Sequence, residues 1–241
     1  MTSGEGFERI GRAAYDEAFP RVGDALTLHV WRAPVFELVC RAAAVGIPAA
    51  AATLLEAVLA VLVFFFFWNG QYWPGLVLAV ASMPTSVAAL MLSRLGHSTK
   101  PVHRARMAVE VVAPLLWWWA WAHGLASYGR PLEPVYATMV LWVVVGGTIA
   151  INVIEGLALQ RFNGMEIHAW QPLDTRFRLV SAQRNSDLVI FAGALLFRRP
   201  DSGLVLVAWW TLISLIVHAV RFAQPTEQQA RRQKISSWLD R

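Results

Sequence analysis

The chain has 241 residues, 56% of them hydrophobic and only 15% charged, against about 25% charged in an average soluble domain. With a mean hydropathy of +0.46, it lacks the polar residues that would clothe a soluble globule of this size. The formal charge of +5 does not point to nucleic acid, because the Lys and Arg lie in short segments between apolar runs, where membrane topology and anionic lipid account for them.

Residues 1–25 are polar and carry both charge signs, so no cleavable signal peptide is expected there. Residues 26–45 mix Arg32 and Arg41 with apolar side chains, which predicts an amphipathic helix at the membrane interface rather than a span. The first span is expected over 49–68, closed by an Asn69-Gly70 turn whose neighbours Trp68, Tyr72 and Trp73 form an aromatic belt. A second follows over 74–92, then a basic loop over 93–104, then a third span over 105–125 containing Trp117, Trp118, Trp119 and Trp121. Pro131 and Pro134 break the next loop. The fourth span is expected over 135–158, the fifth over 187–198 with its flanks, and the sixth over 203–223, with a polar, helical tail from 224.

The predicted class is an all-α membrane protein: a six-transmembrane-helix bundle over 46–224, preceded by a lead-in and juxtamembrane amphipathic helix over 1–45 and followed by a tail over 225–241. The lead-in, the 93–104 and 160–186 loops and the tail are rich in Lys and Arg, whereas the 69–73 turn has none and the 127–134 loop has Arg130 alone. The positive-inside rule therefore puts both termini in the cytoplasm, against the single exception of Arg198-Arg199. The lone cysteine, Cys40, excludes an intramolecular disulfide and a cysteine-based metal cluster.

Charges within spans are functional candidates by default; here they are Glu56, Arg106, Glu110 and Glu155, with Asn152 and His123 as neutral company. Arg106 and Glu110 stand four apart, on one helix face, and form an ion pair or simply neutralise each other. Glu56 reads as an interhelical contact before it reads as a catalytic acid. His97, His103, His168 and His218 have no His-x-x-x-His spacing, so no metal site is predicted. No phosphate loop, nucleophile elbow or zinc-protease signature is present, and the Trp cluster reads as packing and interface anchoring. The 160–186 loop carries Arg161, Arg176, Arg178 and Arg184 with Asn185. Arginine binds phosphate through paired donors, so lipid head groups, nucleotide phosphates and plain topology explain that loop equally well.

Several stretches carry a resemblance: Ile47-Pro48-Ala49 at the first span, Trp68 to Leu76 at the first turn, and Ala113-Pro114-Leu115-Leu116-Trp117 in the third span. Ile154-Glu155-Gly156-Leu157, Ile167 to Asp174, Arg176-Phe177-Arg178-Leu179 and Ala182-Gln183-Arg184-Asn185 add to it. Over about residues 26–224 the chain resembles the CDP-alcohol phosphatidyltransferases, in particular a bacterial branch. The resemblance implies a multi-pass protein of the bacterial inner (cytoplasmic) membrane, working in phospholipid biosynthesis and commonly dimeric. It implies transfer of a phosphatidyl-type group from a CDP-linked donor to an alcohol with release of CMP. Four aspartates would carry that chemistry, holding Mg or Mn ions and activating the alcohol.

The motif that holds those aspartates falls at 85–110, and here its Asp positions hold Thr85, Ala88, Arg106 and Glu110. Magnesium requires hard oxygen ligands, which Thr85 and Ala88 do not supply as carboxylates, while Arg106 brings a positive charge to the place of the metal. The resemblance thus implies a pseudoenzyme without a cofactor, acting as a homodimer or as a heterodimer with an active paralogue in contact with membrane lipid. Two alternatives stay open. One is a transferase with an altered site, Glu110 its base and the loop arginines its phosphate grip. The other is a non-catalytic binder of a CDP-lipid or nucleotide through Arg176, Arg178 and Arg184.

Overall fold

A computed structural model describes residues 11–96, 98–162, 164–230 and 237–240. Residues 1–10 of the predicted lead-in, His97, Asn163, and 231–236 and 241 of the predicted tail lie outside them. Among the described residues the chain is helical without strands. In order come α1 (Arg12–Ala18), a π-turn (Leu26–Trp31), α2 (Arg32–Ala44), α3 (Ala49–Trp68), α4 (Tyr72–Leu95) and α5 (Lys100–Gly124). Then follow α6 (Pro134–Arg161), a 3-10 turn (Ile167–Ala169), α7 (Pro172–Arg178), α8 (Arg184–Leu196), α9 (Pro200–Ala230) and a last 3-10 turn (Trp238–Asp240).

Four of these helices are long and apolar enough to cross a membrane: α3, α4, α6 and the Pro200–Gln228 part of α9. Their outward residues are apolar too. Leu54, Val58 and Val61 on α3, and Met139, Trp142 and Val153 on α6, are exposed, and a helix that is apolar all round needs an apolar surrounding. These four match the predicted first, second, fourth and sixth spans. The other two predicted spans have a different character. Helix α5 is long enough, but Lys100, Arg104, Arg106 and Glu110 crowd its first three turns. Helix α8 has 13 residues, a length of about 20 Å against the ~30 Å of a hydrocarbon core.

Helix α3 packs against α4 and α5, α6 against α9, and α8 against α9 and α4. The predicted amphipathic stretch forms the π-turn and α2, whose buried face (Val35, Val39, Ala42, Ala43) lies against α4. Tyr15 and Phe19 of the lead-in join the same cluster. The main core is aromatic. Trp117, Trp118 and Trp121 are buried while Trp119 is exposed, so the cluster divides between packing and surface. Trp121 stacks on Tyr72 at 4.1 Å and meets Phe191 at 4.0 Å. Three polar tips find a carbonyl: Trp121 Nε1 donates to Pro200 O (3.1 Å), Trp117 Nε1 to Ala60 O (2.9 Å) and Tyr72 OH to Trp121 O (2.8 Å). Buried indoles and phenols require such partners.

The ends of α3 and α5 touch backbone to backbone. Gly70, at φ +69°, closes α3, and a Cβ on Gly124 would lie 2.0 Å from Phe67 O and 2.9 Å from Gly70 N. Only a residue without a side chain fits there. Gly124→Ala should therefore cost about 1–3 kcal/mol of stability through overpacking, seen as a lowered melting temperature in detergent. Gly156→Ala on α6, where an added Cβ meets nothing within 4 Å, should be neutral or mildly stabilising because Ala favours the helix.

Candidate functional site: an arginine-lined cavity inside the bundle

A cavity of about 240 Å³ opens between the N-terminal segment, α4, α5, α6 and the 178–187 stretch. The sequence places polar side chains around it from segments far apart. Arg106 and Glu110 come from the charged first turns of α5, Glu155 and Asn152 from α6, and Arg178, Arg184, Asn185 and Asp187 from the loop and the start of α8. The start of α8 is fixed by a reciprocal cap, in which Gln183 and Ser186 exchange side-chain and backbone hydrogen bonds. Ser214 Oγ on α9 accepts from Ala182 N at 2.9 Å, and Trp210 Nε1 donates to Val180 O at 2.8 Å, so α9 braces the same stretch.

Each cavity arginine has a carboxylate partner. Arg106 Nη1 donates to Glu110 Oε2 at 2.6 Å; its side chain is 5% exposed, that of Glu110 48%. Arg184 Nη1 donates to Glu56 Oε1 at 3.3 Å, joining α8 to α3, and lies 5.9 Å from the Trp117 ring. Arg178 donates to Glu155 through Nη1 to Oε1 and through Nη2 to Oε2. The pairs do not exhaust the hydrogen-bonding groups. Arg106 Nε, Asn185 Oδ1, Asp187 Oδ1 and Glu56 Oε2 are buried without a partner, which is costly unless something meets them. The cavity wall thus holds one free donor, on Arg106, beside free acceptors on Asn185 and Asp187.

The predicted Arg106–Glu110 pair is present, and Glu56 makes the interhelical contact expected of it. Of the three arginines expected to bind phosphate, Arg178 and Arg184 line the cavity, whereas Arg176 is exposed. Two residues apart on α7, Arg176 and Arg178 point about 200° from one another, so one face cannot take both. Thr85 donates to Ala81 O at 3.2 Å within its own helix, Ala88 is buried, and Ser86 and Val87 line the cavity in their place.

Behind the Arg178–Glu155 pair stand two histidines that local spacing could not reveal. Glu155 Oε1 lies 3.3 Å from His168 Nε2 and 3.1 Å from His218 Nε2. The rings meet edge to face at 4.8 Å between centroids. His168 sits on the turn after α6 and His218 on α9, fifty positions later, so only the tertiary fold unites them. Burial lowers the His168 pKa to about 4, against the raising effect of Glu155, and leaves the ring neutral at physiological pH. Asp174, on α7, pairs with Arg221 of α9 at 2.8 Å, and burial raises its pKa although Arg221 opposes the shift.

Removing one partner of a buried pair strands the other. Glu56→Ala should therefore destabilise the bundle by about 3–5 kcal/mol, and Glu56→Ala combined with Arg184→Met should recover part of that loss in a double-mutant cycle of detergent melting curves. At the Arg106–Glu110 position, paramagnetic resonance should show no Mn²⁺ binding that depends on Glu110, since that one carboxylate is the whole acidic ligand set there and is already paired with Arg106. Saturable binding that Glu110→Gln abolishes contradicts this.

Compared with known proteins, the sequence matches no family model and no curated protein.

Proposed function

We propose that the chain is a membrane protein built on the plan of the CDP-alcohol phosphatidyltransferases. It would hold a phosphate-bearing lipid, a CDP-linked one in particular, without transferring its phosphatidyl group. In this reading it is a catalytically inactive partner or regulator of an active enzyme of that kind, as a homodimer or heterodimer in the bacterial inner membrane with both termini cytoplasmic. The six-span arrangement belongs to the same reading. Helix α5, 25 residues long, reaches about 37 Å with its charges at one end, and α8 would complete a crossing together with its flanks.

The observation that carries the reading is the cavity in which Arg106, Arg178 and Arg184 converge. A guanidinium has five N–H donors, and the carboxylate pairs leave several of them for phosphate oxygens. The free acceptors Asn185 Oδ1 and Asp187 Oδ1 suit the hydroxyl and amino groups of a nucleoside or polyol. A ligand with phosphate at one side and hydroxyls at the other answers both halves. Loss of catalysis follows from the 85–110 stretch: Thr85 and Ala88 offer no carboxylate, and Arg106 already neutralises Glu110.

Thermal unfolding of the purified chain with CDP-diacylglycerol tests this. At about a hundred times the dissociation constant the lipid should add about 2.7 kcal/mol, diacylglycerol should add nothing, and Asn185→Leu should abolish the gain. CMP should not be released with glycerol phosphate, serine or inositol as acceptor. No stabilisation by the CDP-lipid overturns the binding reading. Release of CMP that Glu110→Ala abolishes replaces it with an active transferase.

A further inference from the structure

The Glu155–His168–His218 cluster contains a hydrogen-bonding conflict. His218 Nδ1 lies 2.6 Å from the carbonyl oxygen of Ser214. A carbonyl only accepts, so Nδ1 carries a proton, and in the tautomer with that one proton Nε2 is a lone pair. That lone pair faces Glu155 Oε1, another acceptor, at 3.1 Å, from a side chain with no exposure at all. His168 Nε2 also turns inward: it lies 3.3 Å from the same oxygen and 3.4 Å from Arg178 Nη1, a group that only donates. Two imidazole nitrogens and one carboxylate oxygen thus point at one another within 4.8 Å. Arg178 donates to Glu155 and reaches His168.

We propose that Glu155, His168 and His218 form a binding site for a divalent transition metal ion, zinc above all. The ligand set is two imidazoles and a carboxylate, which suits zinc and disfavours magnesium and calcium. Ligands held at 2.0–2.1 Å around a tetrahedral zinc stand about 3.4 Å from one another, close to the 3.1 and 3.3 Å that separate Glu155 Oε1 from the two nitrogens. The His218 Nδ1–Ser214 bond is the orienting contact that metal-bound histidines use. The ligands come from α6, the turn after it and α9, so the ion would fasten three elements that are otherwise joined by packing. Arg178 would give up its Nη1 contact and keep Nη2 near Glu155 Oε2, at 3.4 Å. A water would fill the fourth position, at the wall of the cavity that Glu155 and Arg178 both line. The inference does not depend on lipid binding.

The test uses the full chain in detergent, purified without a histidine tag. Titration with Co²⁺ should develop the intense visible absorption of a four-coordinate ion, saturating near one equivalent per chain and bleached by Zn²⁺. His168→Gln and His218→Gln should each weaken the affinity at least ~10-fold, and His123→Gln, whose ring stacks on Trp68 at 3.6 Å far along the chain, should leave it unchanged. His168 sits on a short turn, so its variant keeps the test meaningful if His218→Gln fails to fold. Cobalt that stays six-coordinate and dialyses away from the wild type overturns the proposal, and so does an affinity unchanged in His168→Gln.

Discussion

A guanidinium drawn into an apolar bundle is costly unless it meets a carboxylate. The architecture is organised around that requirement. Arg184 and Glu56 are 128 positions apart, yet each has the other as its ion-pair partner. The same holds for Arg178 and Glu155, and for Arg221 and Asp174. These contacts tie α3 to α8, α6 to the α7 segment, and α7 to α9. An unpaired charge in such surroundings is far more costly than an imperfect apolar contact, so the pairs restrict which helix arrangements are possible. The aromatic core around Trp121 then fills the arrangement that remains.

The division of labour between the two halves of the bundle follows. On one side, α3, α4 and α5 share the Trp, Tyr and Phe cluster, with the Trp117 and Trp121 indoles tied to carbonyls. The other side, from the end of α6 through α7, is polar and irregular, with short helices, caps and side-chain bonds to α9. The cavity lies where the two meet. Residues that would be poor packing elsewhere, such as Asn152, Asn185 and Asp187, line it.

Much of the helical plan was legible in the sequence because uninterrupted apolar length is a strong signal. The first span, expected over 49–68, coincides with α3 at Ala49–Trp68. Charge within the next turns made α5 harder to read as a span, and α8 was too short to resolve by length, since a buried helix of 13 residues and part of a crossing look alike. At the site, the Arg106–Glu110 pair was legible because it is local, four residues along one helix. The meeting of His168 with His218, and of Glu56 with Arg184, was not, because nothing in a local window encodes a contact fifty or more positions away. Arg176 could have been separated from Arg178 had a helix over Pro172–Arg178 been foreseen, since their directions differ by more than a right angle.

Arg178 belongs to two neighbourhoods at once. It stands in the cavity wall and it is bonded to the carboxylate that faces both histidines. One guanidinium therefore acts as a thermodynamic hinge between them. Whatever draws it toward the cavity leaves Glu155 more negative for the imidazoles, and whatever neutralises Glu155 from the histidine side frees Arg178 for the cavity. Linkage makes that exchange reciprocal, with the same free energy in either direction. Two places that look separate on a list of residues share a single charge.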